Sequence, residues 1–234
     1  MSKNVDNTTI AVISTGDIRQ EFDLFMVDRQ TRDLSASTLD FYRREFEPFL
    51  RYLNSNGIFN IRDIRPSDIR AFFLEQSKKR NPGGIHSHFR VIRAFLLWWE
   101  KETEPANWSN PVKKISPPKN KLDPIPGISI EDIQKMLKVC GNNKGGQRDR
   151  LILLTLLDTG ARASEFCALK AGDLDLQTGA VIIKHGKGDK PRIVYVGKKT
   201  LKELTRYLRE SGATLDQPLF PNRHGQPLTR NGLV

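Results

Sequence analysis

The chain has 234 residues, 38% of them hydrophobic and 28% charged, with 38 Lys/Arg against 27 Asp/Glu and a formal net charge of +11. That length holds one large domain or two ordinary ones, and the balance is that of a soluble globular protein, neither disordered nor embedded in a bilayer. The longest apolar runs, 94–99 and 151–154, are far too short to span a membrane.

Residues 1–16 are read as an N-terminal tail. The opening MSKNVDNTTIAVISTG has no apolar core of signal-peptide length. Cys140 and Cys167 lie in apolar helical contexts without metal-type spacing, so reduced core thiols and a cytoplasmic location are expected. Residues 17–104 then read as four helices with short connections, an all-α bundle. The first is a short amphipathic run, 20–28. Ser35 caps the second, STLDFYRREFEPFLRYLNSNG, in which Leu39, Tyr42, Phe46, Phe49, Leu50 and Leu53 recur near helical spacing and Gly57 is the stop. Pro48 inside it calls for a kink or a boundary. The third, RPSDIRAFFLEQSKKRN, takes Ser67 as its cap and Asn81-Pro82-Gly83-Gly84 as its breaker. The fourth, HSHFRVIRAFLLWWEKE, packs Phe89, Ile92, Phe95, Leu96 and Trp99. These aromatic stripes are read as core, not as base-stacking platforms.

Residues 105–127 break every periodicity. Six prolines and four lysines with one acid describe an extended, semi-rigid, basic connector. It is either a plain solvated linker or a strap along phosphates, with Lys113, Lys114, Lys119 and Lys121 as the contacts. The charge favours the strap.

Residues 128–234 carry a different pattern. Ser129 caps a helix to about Cys140, 147–158 is a more apolar helix, and a short helix starts near Arg162. AVIIK (180–184) and PRIVYV (191–196) read as two strands around the turn HGKGDK, followed by a helix over 200–209. Asp173 and Asp175 read as a turn leading into a strand and not as a metal site. The charge is uneven: 16 Lys/Arg against 15 Asp/Glu in residues 1–104, 4 against 1 in 105–127, and 18 against 11 in 128–234. A polyanion met by the middle and second half of the chain is the partner this suggests.

The order of an apolar helix, DTGARASEFCALKAGDLD (158–175), a hairpin with GKGDKPRIVYV at its tip, and PLFPNRHGQPLTR resembles the tyrosine recombinase (phage integrase) family, including Xer-like enzymes. The N-terminal bundle resembles that family's core-binding, SAM-like domain, and the likeness covers about residues 17–234. It implies an all-α core-binding domain (17–104), a basic linker (105–127) and a partial, mixed α+β but mostly helical catalytic domain with a small antiparallel sheet (128–234). It implies DNA cutting and rejoining through a phosphotyrosyl intermediate, with double-stranded DNA and other recombinase protomers as partners and neither cofactor nor metal.

By the same resemblance Arg162 is the first catalytic arginine. A planar, permanently charged fork suits the charge that develops on a scissile phosphodiester. Glu165, one turn on, would orient it. The bland alternative is a surface Arg162–Glu165 pair worth a few tenths of a kcal/mol. Lys187 takes the general-acid role, with Lys190 close enough to compete, and Lys190 and Arg192 are expected on DNA. The bland alternative there is a glycine turn with solvated lysines.

One departure stands out. None of His86, His88, His185 and His224 has an arginine three residues later, and Tyr42, Tyr52, Tyr195 and Tyr207 all precede the region where the family's nucleophile belongs. The chain is therefore expected to be C-terminally incomplete and without its nucleophile. A non-catalytic DNA-binding protein that occupies sites or regulates a complete recombinase is the second reading.

Overall fold

The computed structural model describes residues 16–119, 124, 126–186 and 190–233. The chain divides into two compact units at residues 124/125. Among the described residues no helix is long and apolar enough to cross a membrane.

The first unit is built from α1 (Ile18–Thr31), α2 (Ala36–Ser55), α3 (Pro66–Gln76) and α4 (Pro82–Thr103). The heptad-like spacing of aromatics in α1, α2 and α4 points them inward, where Phe22 stacks on Phe46 at 3.8 Å and Phe95 meets both edge-on. Each such buried aromatic contributes on the order of 1.5–3 kcal/mol relative to an exposed one. Pro48 lies inside an uninterrupted α2. It withholds an amide from the preceding turn, and there the buried His88 Nδ1 donates to the Glu45 carbonyl at 2.8 Å. The buried Glu45 carboxylate is itself met by Arg80 at 2.8 Å and Arg44 at 3.0 Å.

Three helix starts differ from expectation. Ser35 does occupy the N-cap of α2, but its hydroxyl bonds the Ser37 and Thr38 hydroxyls and no backbone amide. α3 starts behind Arg65, whose N–H is accepted by Asp68 at 2.8 Å, so Asp68 does what Ser67 was expected to do. Asn81-Pro82-Gly83-Gly84 begins α4 and does not break the chain: Asn81 accepts the Gly84 N–H at 2.9 Å, and proline suits a first helical turn.

The expected extended connector over 105–127 is corrected in its first half. A 3-10 turn, Pro111–Lys114, docks on α3 and α4 with Val112 and Ile115 buried. Asn110, also buried, donates to the Leu96 carbonyl and accepts from Val112 N–H, and Trp108 packs edge-on against Trp99. Arg70 holds the Lys114 carbonyl at 2.9 Å, and His86 Nδ1 lies 3.3 Å from the Pro118 carbonyl. Apolar residues interleaved with the lysines give this stretch a reason to fold back that a proline count does not reveal.

The second unit holds α5 (Ile130–Val139), α6 (Lys144–Thr159), α7 (Ala163–Cys167), β1 (Ala180–Ile183), β2 (Arg192–Tyr195) and α8 (Lys198–Ser211). β1 and β2 form an antiparallel pair in which Val181 faces Val194 and Ile183 faces Arg192. Leu151, Phe166, Leu169, Val181, Leu204 and Phe220 form its core. Ser129 caps α5 by accepting the Asp132 N–H, as expected. The cysteines are free but neither is fully buried, Cys140 sitting at the end of α5 and Cys167 at the end of α7.

Candidate active site

Gly160 ends α6 in the left-handed conformation (φ 57°), which glycine adopts without a Cβ clash, and donates its N–H to the Leu156 carbonyl at 2.9 Å. The chain turns there and Arg162 becomes the N-cap of α7. Phe166, on the next turn, is buried and stacks on Phe220, so α7 is held from below while Arg162 stays above the core.

Glu165 is the centre of the arrangement. Its side chain is only 2% exposed, yet it lies among four N–H donors. Arg162 gives its backbone N–H to Oε2 at 2.8 Å and its Nη1 to Oε1 at 2.9 Å. Arg192 arrives from β2 and gives Nη1 to Oε1 at 2.8 Å and Nη2 to Oε2 at 2.7 Å, a two-pronged pair. The Arg192 bonds, with smaller contributions from Arg162, outweigh the opposing effect of burial and hold the Glu165 carboxyl at a pKa of about 2. The carboxylate is ionised at any ordinary pH. Its four acceptor directions are filled, so it fixes one edge of Arg162 and leaves the rest of that guanidinium, 56% exposed as a side chain, turned outward.

Three of the sequence-derived residues thus come together: Arg162, Glu165 and Arg192. Arg192, expected on DNA, here gives both of its terminal nitrogens to Glu165. Sequence reading missed the pair because its members lie 27 positions apart and meet only once the hairpin has folded. Lys190 is exposed beside β2. Lys187 and Lys121 lie outside the described residues. Lys113, Lys114 and Lys119 belong to the first unit, where Lys113 is paired with Glu100 at 2.7 Å.

The turn expected at Asp173 is present, and its carboxylate is a second buried acid in this unit. Asp173 accepts the Lys170 N–H at 2.9 Å and Lys184 Nζ at 2.6 Å, fixing the turn that leads into β1. Among the described residues there is no group of three or more His, Cys, Asp or Glu able to hold a metal ion. Tyr195 is exposed on β2, and strand alternation puts it on the opposite face of the sheet from Arg192. Tyr207 is half-buried against Phe220, and that burial pushes its hydroxyl pKa up.

A helical bundle followed by a mostly helical unit with one small hairpin is an integrase-type fold. Solved structures align with it: a lambda integrase tetramer bound to a Holliday junction (TM-score 0.76, 14% identity, 100% of this chain and 68% of that one). So does the XerH recombinase bound to palindromic difH substrate (TM-score 0.67, 21% identity, 89% and 63%). Residues 29–102 match the phage integrase N-terminal SAM-like domain and residues 128–233 the phage integrase family.

The chain belongs to the phage integrase family, the tyrosine recombinases. It is 32% identical over 220 residues to tyrosine recombinase XerD of Oceanobacillus iheyensis, covering 90% of this chain and 72% of that protein. It is 28% identical over 205 residues to XerC of Xanthomonas campestris pv. campestris, covering 86% of this chain but only 62% of the length of that relative.

Proposed function

We propose that the chain binds duplex DNA and supplies the phosphate-stabilising part of a site-specific recombinase, in which a strand is cut and rejoined through a phosphotyrosyl intermediate. The observation that carries this reading is the outward-turned Arg162 guanidinium, held along one edge by the buried, ionised Glu165. A phosphodiester under attack develops charge on its non-bridging oxygens, and a pre-aligned fork stabilises that charge with little reorganisation. Lys187 protonates the departing 5′-oxygen, with Lys190 as the competing donor. Lys113, Lys114, Lys119 and Lys121 contact phosphates of the duplex. A lambda integrase solved bound to DNA, and a lambda integrase tetramer on a Holliday junction, support DNA and further protomers as partners.

Salt titrations of affinity for a recombination-site duplex test it. Each phosphate that the four-lysine alanine variant no longer neutralises lowers the log–log salt slope by roughly 0.9. Arg162→Ala weakens docking of the scissile phosphate, whereas Lys187→Ala leaves binding nearly unchanged. An unchanged slope removes the lysines from the interface, and absence of salt-dependent binding removes DNA altogether.

The placement of the tyrosines favours a second reading for this chain acting alone, DNA binding without cleavage. Tyr195 is on the opposite face of the sheet from Arg192 and Tyr207 is half-buried against the core, and covalent attack tolerates little misplacement. Purified chain therefore gives no SDS-resistant protein–DNA adduct. One reproducible adduct mapped to Tyr195 or Tyr207 would overturn this.

A further inference from the structure

We infer that Arg192 is a positioning residue for Arg162: through the shared carboxylate of Glu165 it ties the base of the β1–β2 hairpin to the turn that presents Arg162. The inference rests on the reading of Arg162 as the phosphate-binding group.

Consider Glu165 with Arg162 alone. An Arg–Glu pair three residues apart on a short helix is weak and free to change rotamer, and a buried carboxylate with unfilled acceptor directions carries a desolvation penalty. The fork of Arg192 removes both difficulties. It approaches both oxygens at once, at 2.8 and 2.7 Å, which fixes the carboxylate plane. With that plane fixed, Oε1 is aimed at Arg162 Nη1 and Oε2 at the Arg162 backbone N–H. The direction in which Arg162 points is then set from the hairpin, 27 positions away, and not by its own helix.

The opposite arm of the hairpin is built around the same guanidinium. A Cβ placed on Gly186 would collide with the Lys190 carbonyl and stand 3.3 Å from Arg192 Nη1. Glycine at 186 therefore lets the two arms close over the Arg192 head group. Gly186 and Lys190 bracket Lys187 in the sequence, so the clip joins the arms that carry the proposed general acid to the turn that carries the proposed phosphate clamp. Among the described residues, the charged groups acting on Glu165 are Arg162 on its own helix and Arg192 on β2; Arg230, from the 3-10 turn packed on α7, acts on Cys167.

The experiment uses the full 234-residue chain and its Arg192→Gln, Arg192→Lys and Gly186→Ala variants. Three readouts are followed: the Glu165 carboxyl by carbon NMR against pH, the Arg162 side-chain nitrogens by NMR, and amide exchange of the two strands. In Arg192→Gln, Glu165 titrates at least about one pH unit higher, a roughly tenfold tighter hold on its proton. The Arg162 side-chain signals shift and lose protection, and the strand amides exchange faster while those of the first unit do not. Arg192→Lys keeps the charge without the fork, so it restores most of the Glu165 titration but not the Arg162 signals. Gly186→Ala moves the Arg162 signals in the same direction as Arg192→Gln.

A folded Arg192→Gln variant with unchanged Arg162 signals and unchanged Glu165 titration overturns the inference. If that variant fails to fold, Arg192→Lys decides: unchanged Arg162 signals there overturn it, and shifted ones support it. No readout involves DNA, so failure of DNA binding would remove the proposed function and leave this result standing.

Discussion

The two units close their cores to different degrees. In the first, every helix contributes to one continuous aromatic core, with Phe25, Phe49, Phe72 and Phe95 completely buried. In the second, α5 has no buried residue at all, and among the described residues of α6 only Leu151 and Thr155 are buried. Ile130, Met136, Val139 and Leu157 stand exposed on that pair. The first unit is held together mainly by apolar contact, with one buried ionic cluster, Glu45 with Arg80 and Arg44. The second depends more on ionic clips, Glu165 with its two arginines and Asp173 with Lys184, to fix turns that a small core leaves loose. The contrast is one of degree: wide aromatic packing on one side, and on the other a candidate site whose geometry is set by charges.

Substitutions can break that contrast, and the largest effect belongs to the aromatic core. Phe46→Ala is expected to cost about 3–5 kcal/mol, and Leu204→Ala in the second unit about 2–5 kcal/mol. Trp98, Trp99 and Trp108 all lie in the first unit, so tryptophan fluorescence during denaturation reports that unit alone. Phe46→Ala lowers the fluorescence midpoint and Leu204→Ala leaves it in place. A shift from Leu204→Ala would mean that the units unfold as one.

Glu165→Gln comes next, at roughly 1–3 kcal/mol for the charge-assisted bonds removed at a buried acceptor, read as a lower thermal midpoint for the second unit. Acid titration sharpens the comparison because the two units respond in different windows. Glu165 has its pKa lowered from 4.5 to about 2 by Arg192 and Arg162. The unfolded chain binds that proton first, so its stabilisation is complete above pH 4.5 and is lost as pH falls from there toward 2. His88 has its pKa lowered from 6.5, chiefly by burial. The unfolded chain is again the better proton acceptor, so the first unit weakens as pH falls below 6.5. Tryptophan-monitored midpoints should therefore decline between pH 7.5 and 5.5, and amide exchange in α7 and β2 should rise only below 4.5. The reverse order would contradict both assignments.

The smallest effect is expected where the second unit is least finished. Val139, 84% exposed at the end of α5, can become serine with a change within about 0.5 kcal/mol in a thermal melt. A larger loss would show that this apolar edge has a partner in solution.

The fold was largely legible because its signals are local. Helical spacing marked α2 and α4, and two short apolar runs, 180–184 and 191–196, around the turn HGKGDK marked the hairpin. What stayed hidden depends on contacts between distant residues. The docking of Val112 and Ile115 needs the surfaces of α3 and α4 to exist first. The meeting of Arg192 with Glu165 cannot be read until the strand register brings the two together. The start of α3 was misplaced for a more ordinary reason. At Arg65–Asp68, and again at Arg162–Glu165 and Lys170–Asp173, a carboxylate three positions on accepts the capping residue's N–H at 2.8, 2.8 and 2.9 Å. A search for serine or threonine at the cap itself passes over such starts.

The docked turn after α4 has a consequence for avidity. Because Pro111–Lys114 and the carbonyl of Pro118 are tied to the first unit, at most the nine sequence positions 119–127 separate that docked stretch from residue 128. That length of chain reaches roughly 30 Å at full stretch, far less than the whole proline-rich stretch would. On the proposed duplex, a short tether would raise the local concentration at which the second unit meets DNA bound by the first, to the millimolar range for a span it can cover. The same shortness would set a ruler on that duplex, since contacts beyond its reach gain nothing from the linkage. Residues inserted after 121 would relax the ruler and dilute the second unit at its target while keeping all four linker lysines.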